Sequence, residues 1–158
     1  MPPLAQDKLR ADEFAKRLGK SASIPMGKIF ALAKDFIDMP PAEIEKLLEN
    51  SRHEMRVGAV SIMDWKARAK KTSEAERKAL FDLYIKRHDR IDTWDLVDRS
   101  APYVVGGYLA EKPRKILYKL ARSANPLDRR TAIVSTYFFI RQNDLDDTFG
   151  IAEILVND

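Results

Sequence analysis

The residues best suited to chemistry lie between positions 91 and 98, in the segment IDTWDLVD. Trp94 and Asp98 are four residues apart, so on a helix their side chains share one face. A carboxylate on a face that meets the core needs a cationic partner, because burial of an unpaired charge is expensive. Asp98 is therefore predicted to lie at the rim of the core or to pair with a cation.

Two consecutive arginines, Arg129 and Arg130, supply such cations. Asn125 and Pro126 are typical of the N-cap and first position of a helix, which places both arginines near its first turn. The helix dipole disfavours cations there by roughly a few tenths of a kcal/mol, so an anion is expected nearby. Two interpretations stay open: Arg130 forms a purely structural salt bridge with Asp98, or the arginines bind a phosphate group.

Basic residues are concentrated around these arginines. The segment 110–130 contains seven basic residues and two acidic ones, whereas the whole chain carries a net charge of only +4. A second, smaller basic cluster consists of Lys66, Arg68, Lys70 and Lys71. Most charge runs on helices are simply solvated faces. Two interpretations of the segment 110–130 therefore stay open: a face exposed to solvent, and a face that contacts a phosphate backbone.

The composition excludes several kinds of chemistry. The chain has no cysteine, which rules out disulfides, zinc–thiolate sites, iron–sulfur clusters and cysteine nucleophiles. Its two histidines, His53 and His88, have a spacing that fits no local metal motif. The sequence has no apolar signal core and no stretch near the ~20 apolar residues of a membrane span. We therefore expect a soluble, cytoplasmic protein without a local metal motif.

Helical spacing of apolar residues dominates the chain, and no convincing run of strict alternation indicates a strand. Helices are predicted up to Gly19, after Pro25, after Pro40-Pro41, over 52–71, from a capping box of Ser73 and Glu76, from Asp92 as an N-cap, from Pro113, from Asn125-Pro126 and over 145–156. The predicted fold class is therefore all-α.

The predicted helices recur in pairs. Helices start near positions 53, 92 and 127, about 35–40 residues apart. Two helices in each unit of this length are typical of HEAT-like repeats. Periodicity alone leaves two architectures open: HEAT-like helical pairs that form a curved α-solenoid with a concave face suited to a long ligand, and an irregular helical bundle.

Several motifs together resemble the AlkD-type DNA alkylation repair enzymes. WDLVD at 94–98 is followed by Ala101-Pro102, by a turn with Gly106-Gly107 and by RRTAI at 129–133, while HEMR at 53–56 and Ile24-Pro25 leading into 29–34 also fit. The resemblance covers the chain from about residue 20 onward. It implies a curved HEAT-like solenoid with a concave basic groove. It also implies a DNA glycosylase that releases 3- or 7-alkylated purines carrying a positive charge.

The resemblance also implies roles for individual residues. It places the family's catalytic aspartate at Asp98, its sugar-contacting tryptophan at Trp94 and its active-site arginine at Arg130, with Arg129 beside them. It implies no cofactor. Sequence-independent contacts to phosphates of double-stranded DNA are expected from Lys112, Arg114, Lys115, Lys119 and Arg122.

Two features depart from the family pattern. Leu127 stands where the family commonly has a tryptophan, and family members continue for several further helices beyond the position of Asp158. We therefore expect residues 1–158 to form a single HEAT-like repeat domain that is truncated at its C-terminus relative to the family. A monomer that acts on duplex DNA is expected.

Three functions remain to be distinguished: a DNA glycosylase, a DNA-structure-binding protein without catalysis, and a protein–protein scaffold. A protein that only binds DNA has little use for a carboxylate facing phosphates, so Asp98 favours the enzyme. A scaffold predicts no salt-sensitive affinity for DNA and an apolar patch on its exposed face.

Overall fold

The computed structural model describes residues 4–158, and every regular element in this part of the chain is helical, which confirms the all-α class. The α-helices of residues 4–158 are α1 (Ala11–Leu18), α2 (Met26–Asp35), α3 (Pro41–Glu49), α4 (His53–Arg68), α5 (Glu74–Lys86), α6 (Trp94–Ser100), α7 (Lys115–Ala121), α8 (Pro126–Ser135), α9 (Tyr137–Arg141) and α10 (Asp146–Leu155). Two 3-10 turns (Gln6–Lys8 and His88–Arg90) and a π-helical segment (Ala101–Gly107) join them.

The capping residues begin and end helices largely where the sequence predicts. The side chain of Ser73 accepts the backbone N–H of Glu76, whose own carboxylate accepts the N–H of Ser73, so the capping box at α5 is confirmed. The Oδ1 atom of Asn125 accepts the N–H of Leu127 at 2.9 Å and begins α8. Gly19 ends α1 with a φ of 84°, a backbone conformation that favours glycine.

Asp92 does not cap α6, so that prediction is wrong. The N-cap residue is Thr93, which makes no side-chain cap hydrogen bond. Asp92 instead accepts a hydrogen bond at 3.3 Å from Arg56, a largely buried residue of α4. The carboxylate therefore joins α4 to the segment before α6, because a buried guanidinium needs a counter-charge more than an exposed helix end needs a cap.

The helix predicted from Asn125 is interrupted at Thr136. The hydroxyl of Thr136 donates to the carbonyl of Ile133 at 2.6 Å, and that of Ser135 donates to the carbonyl of Thr131 at 2.6 Å. Hydroxyls that bond back to the preceding turn compete with the backbone ladder and bend helices. The break separates α8 from α9. Tyr137 follows it and is 58% exposed, although its place in a run of three aromatic residues, 137–139, suggests a core position.

The chain passes from α6 directly into the π-helical segment Ala101–Gly107. Pro102 has no N–H to donate, and the regular α-helical ladder gives way at this point. The expectation of a turn at Gly106-Gly107 is therefore wrong, because both glycines lie within the π-helical segment. Gly106 is buried where the segment meets the C-terminal end of α8, at the backbone of Ser135.

The helices pack in two rows. In one row α2 contacts α4, α4 contacts α6, and α6 contacts α8. In the other row α1 contacts α3, α3 contacts α5, and α5 contacts the π-helical segment. Stacked helical pairs produce this alternating order of contacts, while the curved solenoid with a basic groove stays a prediction.

One hydrophobic cluster runs through both rows, from Leu9 to Ile151. Phe14 meets Phe36 edge to face at 5.2 Å near one end of the described chain, and Phe139 is buried near the other end. The domain predicted over 1–158 begins with three residues that lie outside the described part, so its full extent stays a prediction.

His88 fastens the turn after α5 to α8. Its Nε2 atom lies 2.7 Å from the hydroxyl of Thr131, and its Nδ1 atom lies 3.0 Å from a carboxylate oxygen of Asp128. Burial lowers the pKa of His88, although the charges of Asp128 and Asp89 oppose this shift. No local sequence pattern indicates these partners, because they lie about 40 residues away along the chain.

We expect the stability of the protein to fall as the pH decreases from about 7 to about 5 through the titration of His88. The unfolded chain binds a proton near the ordinary histidine pKa, whereas the folded chain resists it, so protonation favours unfolding. Urea denaturation at both pH values measures the difference in the free energy of unfolding. His88→Gln should reduce this difference. An unchanged difference in His88→Gln would contradict the assignment.

Candidate functional site

Trp94 and Asp98 lie on one exposed face of α6. Trp94 is the first residue of the helix and is 67% exposed, an unusual fraction for a tryptophan. Leu96 and Val97 are fully buried and anchor the helix in the core. The side chain of Asp98 is 44% exposed, so the carboxylate lies at the rim of the core as predicted.

Arg130 of α8 joins this face of α6. Its Nε atom donates to Asp98 Oδ1 at 2.8 Å and its Nη2 atom donates to Asp98 Oδ2 at 2.7 Å, a bidentate pair. The centre of the guanidinium lies 4.6 Å from the ring centroid of Trp94, within the range of a cation–π contact. The hydrogen bonds that Arg130 donates to Asp98 raise the pKa of Arg130. Trp94, Asp98 and Arg130 therefore form one cluster. The salt bridge between Arg130 and Asp98, one of the two interpretations of the sequence, is present.

Arg130 keeps hydrogen-bonding capacity beyond this pair. Asp98 takes the N–H of Nε and one N–H of Nη2, which leaves both N–H groups of Nη1 and the second one of Nη2. Its side chain is 32% exposed, so these donors have access to solvent. The arrangement can hold a carboxylate and an external anion at the same time.

Arg129 points away from this cluster. Its Nε and Nη2 atoms donate to the carboxylate of Asp158 at 2.9 and 2.6 Å, and its Nη1 atom donates to the carbonyls of Ser123 and Ala124. Each of the two arginines near the start of α8 is therefore paired with an aspartate. The sequence suggested that Arg129 and Arg130 share one anion, but the structure pairs them with two different aspartates.

A cavity of about 540 Å³ opens beside the cluster, between α6, the π-helical segment, α8 and α9. Asp98 and Arg130 form one side of it, and Ile133 and Val134 contribute an apolar floor. The cavity is also lined by Arg68, Tyr103, Tyr137 and Arg141. The sequence placed Arg68 only in the smaller basic cluster, and it did not select the other three as site residues.

Arg68 is the last residue of α4 and turns toward this cavity. Its Nε atom donates at 2.9 Å to Oδ2 of Asp64, a carboxylate that is only 1% exposed. Burial raises the pKa of Asp64, against the opposing charges of Arg68 and Arg99. An aspartate in a largely apolar stretch, four residues before an arginine, is the sequence pattern that indicates such a pair.

The remaining predicted DNA contacts do not line this cavity. Lys115, Lys119 and Arg122 form an exposed stripe along α7, and none of them makes an ion pair within residues 4–158. Lys112 pairs with Glu74 and lies 4.2 Å from the ring centroid of Tyr108. The structure therefore separates the α7 stripe from the cluster of Asp98, Trp94 and Arg130.

Arg114 is held inside the fold. Its Nη1 atom donates to Asp144 at 2.9 Å and to Asp147 at 2.6 Å, while its Nη2 atom donates to the carbonyl of Ala110 at 2.6 Å. The guanidinium also lies 3.6 Å from the ring centroid of Phe139. Its side chain is only 15% exposed, so this residue has a structural role and is not part of the interface proposed below.

We expect Arg114→Gln to lower the free energy of unfolding by about 2 kcal/mol, because charged hydrogen bonds are lost and two aspartates stay behind. Lys119→Gln is the matched control, since this exposed cation should change stability by less than about 0.5 kcal/mol. Urea denaturation measures both values. Equal stabilities of the two variants would argue against a structural role for Arg114.

Neither a metal centre nor a membrane segment is found among residues 4–158. No three His, Asp or Glu side chains of these residues are grouped so that they could hold a metal ion. No helix in the same range combines the length and apolar character needed to cross a membrane. The chemistry available at the cluster is that of a carboxylate, a guanidinium and an indole ring.

The helical architecture and the contact between the WDLVD and RRTAI motifs agree with a class of all-helical enzymes of DNA repair. The chain matches the sequence profile of the DNA alkylation repair enzymes over residues 5–158, and it belongs to that family. Comparison with curated proteins and with solved structures gave no match.

Proposed function

We propose that this protein is a DNA glycosylase that hydrolyses the N-glycosidic bond of cationic 3- or 7-alkylated purines in duplex DNA. The observation that carries the proposal is the bidentate pair of Asp98 and Arg130 under the exposed ring of Trp94. This cluster lies on the rim of a cavity in a chain that belongs to the DNA alkylation repair family.

Cleavage of the proposed substrates needs no general acid. Alkylation at N3 or N7 gives the purine a positive charge, so the base leaves as a neutral molecule and needs no proton. Neither His53 nor His88 lines the cavity, and both are already paired with aspartates. A neutral damaged base would require a proton donor, and neither histidine is placed to supply one.

Asp98 is the proposed catalytic carboxylate. As the glycosidic bond breaks, its electron pair leaves with the base and positive charge develops on the deoxyribose. A fixed carboxylate stabilises that charge and orients the attacking water, which adds to the sugar carbon and releases a proton. Arg130 holds the carboxylate in place from one side, so the exposed side of Asp98 is left for the sugar.

Trp94 and Arg130 have supporting roles in the proposal. The exposed indole of Trp94 lies against the sugar, where its π face favours the developing positive charge. The N–H groups of Arg130 that Asp98 does not use bind a backbone phosphate next to the lesion. Both residues act in the same position that they occupy without DNA, so little reorganisation is needed.

The wider interface is proposed to be a curved HEAT-like solenoid whose row of α2, α4, α6 and α8 faces the DNA. Lys115, Lys119 and Arg122 lie outside the cavity and contribute by long-range attraction of the duplex. Lys112 and Arg129 already have carboxylate partners, which weakens their contribution. We propose that the protein acts as a monomer in the cytoplasm, on nucleoid DNA.

The second candidate function is a DNA-structure-binding protein without catalysis, and the third is a protein–protein scaffold. The arginines of the cavity favour the second candidate as much as the first, because both require phosphate contacts. The exposed apolar side chains of Tyr137 and Phe149 are the observation in favour of a scaffold.

One experiment separates the three candidates. The protein is incubated with duplex DNA that has been methylated at random, and free 7-methylguanine is measured alongside retardation of the duplex at several salt concentrations. A glycosylase releases base; a non-catalytic binder retards DNA in a salt-dependent manner without release; a scaffold does neither. Absence of base release would refute the proposed activity.

A further inference from the structure

The cavity carries more positive charge than its carboxylate needs. Three arginines, Arg68, Arg130 and Arg141, line it together with a single acidic residue, Asp98. Asp98 occupies two nitrogen atoms of Arg130 and makes no hydrogen bond to the other two arginines. Arg68 and Arg141 therefore require a separate explanation.

Arg68 is fixed in orientation but keeps its terminal donors. Asp64 holds only its Nε atom, at 2.9 Å, and the guanidinium lies 4.0 Å from the ring centroid of Tyr103. Its Nη1 and Nη2 atoms have no hydrogen-bond partner within residues 4–158, and its side chain is 42% exposed. A planar guanidinium held at its base, with a free outer edge, matches the geometry of phosphate recognition.

Arg141 approaches Tyr103 from another direction. Its Nη1 atom donates to the hydroxyl of Tyr103 at 2.8 Å, and no carboxylate of residues 4–158 forms an ion pair with it. Tyr103 also packs edge to face on Phe138 at 5.5 Å. The half-buried ring thus contacts both arginines, Arg68 through its face and Arg141 through its hydroxyl group.

Asp64 gives the arrangement its rigidity. The carboxylate is buried, its Oδ1 atom has no hydrogen-bond partner, and Arg99 lies 3.8 Å from Oδ2. Arg99 is itself 3.8 Å from the ring centroid of Phe30 and is directed away from the cavity. Burial of a carboxylate is expensive. The role that accounts for this buried carboxylate is the positioning of Arg68.

We propose that Arg68 and Arg141, held by Tyr103 and Asp64, bind a second backbone phosphate of duplex DNA, separate from the phosphate at Arg130. This inference rests on the proposed function, because it assigns a further contact to the same DNA. Both phosphate contacts belong to the cavity that Asp98 lines, so together they would fix the sugar–phosphate chain beside this carboxylate. Asp64 is a positioning residue, since it acts only through Arg68.

The test is the affinity for a short unmodified duplex, measured by fluorescence anisotropy over a range of salt concentrations. Arg68→Gln and Arg141→Gln should each raise the Kd about tenfold and reduce the slope of log affinity against log salt by about 1. Arg10→Gln is the matched control: it makes the same charge change at an exposed arginine that does not line the cavity. Thermal unfolding of each variant checks that the fold is intact.

A double-mutant cycle tests the role of Asp64. Asp64→Asn should weaken binding in the wild-type background and have little further effect once Arg68→Gln is present. Independent effects of the two changes would refute the positioning role.

The outcomes also separate this inference from the proposed function. If the wild type binds DNA in a salt-dependent manner, but Arg68→Gln and Arg141→Gln weaken binding no more than Arg10→Gln does, the second phosphate contact is overturned. The proposed function is then left intact. A wild-type protein without salt-dependent affinity for DNA overturns both.

Discussion

Replacement of Asp98 by asparagine is expected to lower the rate of base release by about 10²–10³-fold. The amide has nearly the same shape as the carboxylate, but it is neutral and cannot stabilise a cationic sugar. The amide oxygen can still accept one hydrogen bond from Arg130, but the amide NH2 is a donor and cannot accept the second, so the bidentate pair is lost. The measurement is the single-turnover release of 7-methylguanine from methylated duplex DNA.

The effect should be confined to the chemical step. DNA affinity of Asp98→Asn should be unchanged or higher, because a negative charge near the phosphates is removed. Asp95→Asn is the control on the same helix, since Asp95 pairs with His53 and does not line the cavity. If Asp98→Asn and Asp95→Asn release base at similar rates, Asp98 is not the catalytic carboxylate.

The largest effect on stability is expected from Gly106→Ala. A methyl group at this position would collide with the backbone carbonyl oxygen of Ser135 and would lie 3.1 Å from Cβ of Phe138. A backbone atom cannot rotate away as a flexible side chain does, so α8 itself has to move. We expect a loss of about 1–3 kcal/mol or more in the free energy of unfolding. Base release should also fall, because α8 carries Arg130.

Gly107→Ala is the matched control in the same π-helical segment. The added methyl group would lie 3.6 Å from the ring of Phe138, which is ordinary van der Waals contact. Alanine favours helix over glycine by about 1 kcal/mol, so stability should be unchanged or higher. Urea denaturation of both variants gives the comparison. Similar stabilities would show that the contact between Gly106 and α8 is not tight.

Much of the fold follows from local sequence patterns. The Asn125-Pro126 pair, the capping box of Ser73 and Glu76, and Gly19 each predict a helix boundary that is present. These predictions succeed because a cap is a contact between residues two to four positions apart. Asp92 was predicted wrongly because its actual partner, Arg56, is 36 residues away and no local pattern indicates it.

The candidate site divides in the same way. Trp94 and Asp98 are identified from their spacing on one helix. Arg130 is identified from its position near the start of a helix, where the helix dipole disfavours a cation. The contact between Arg68 and Tyr103 joins α4 to the π-helical segment, so only the packing of the two rows reveals it. The structural role of Arg114 was missed because its carboxylate partners lie 30 and 33 residues further on.

The most direct test of the glycosylase is a duplex with one 7-methylguanine at a known position and a label on the damaged strand. Excess protein is added, and abasic sites are converted to strand breaks with alkali. The account predicts a break at the single damaged guanine that appears with time and that buffer alone does not produce at the same rate. Bound duplex with no breaks above the buffer level would contradict catalysis and leave a DNA-binding protein.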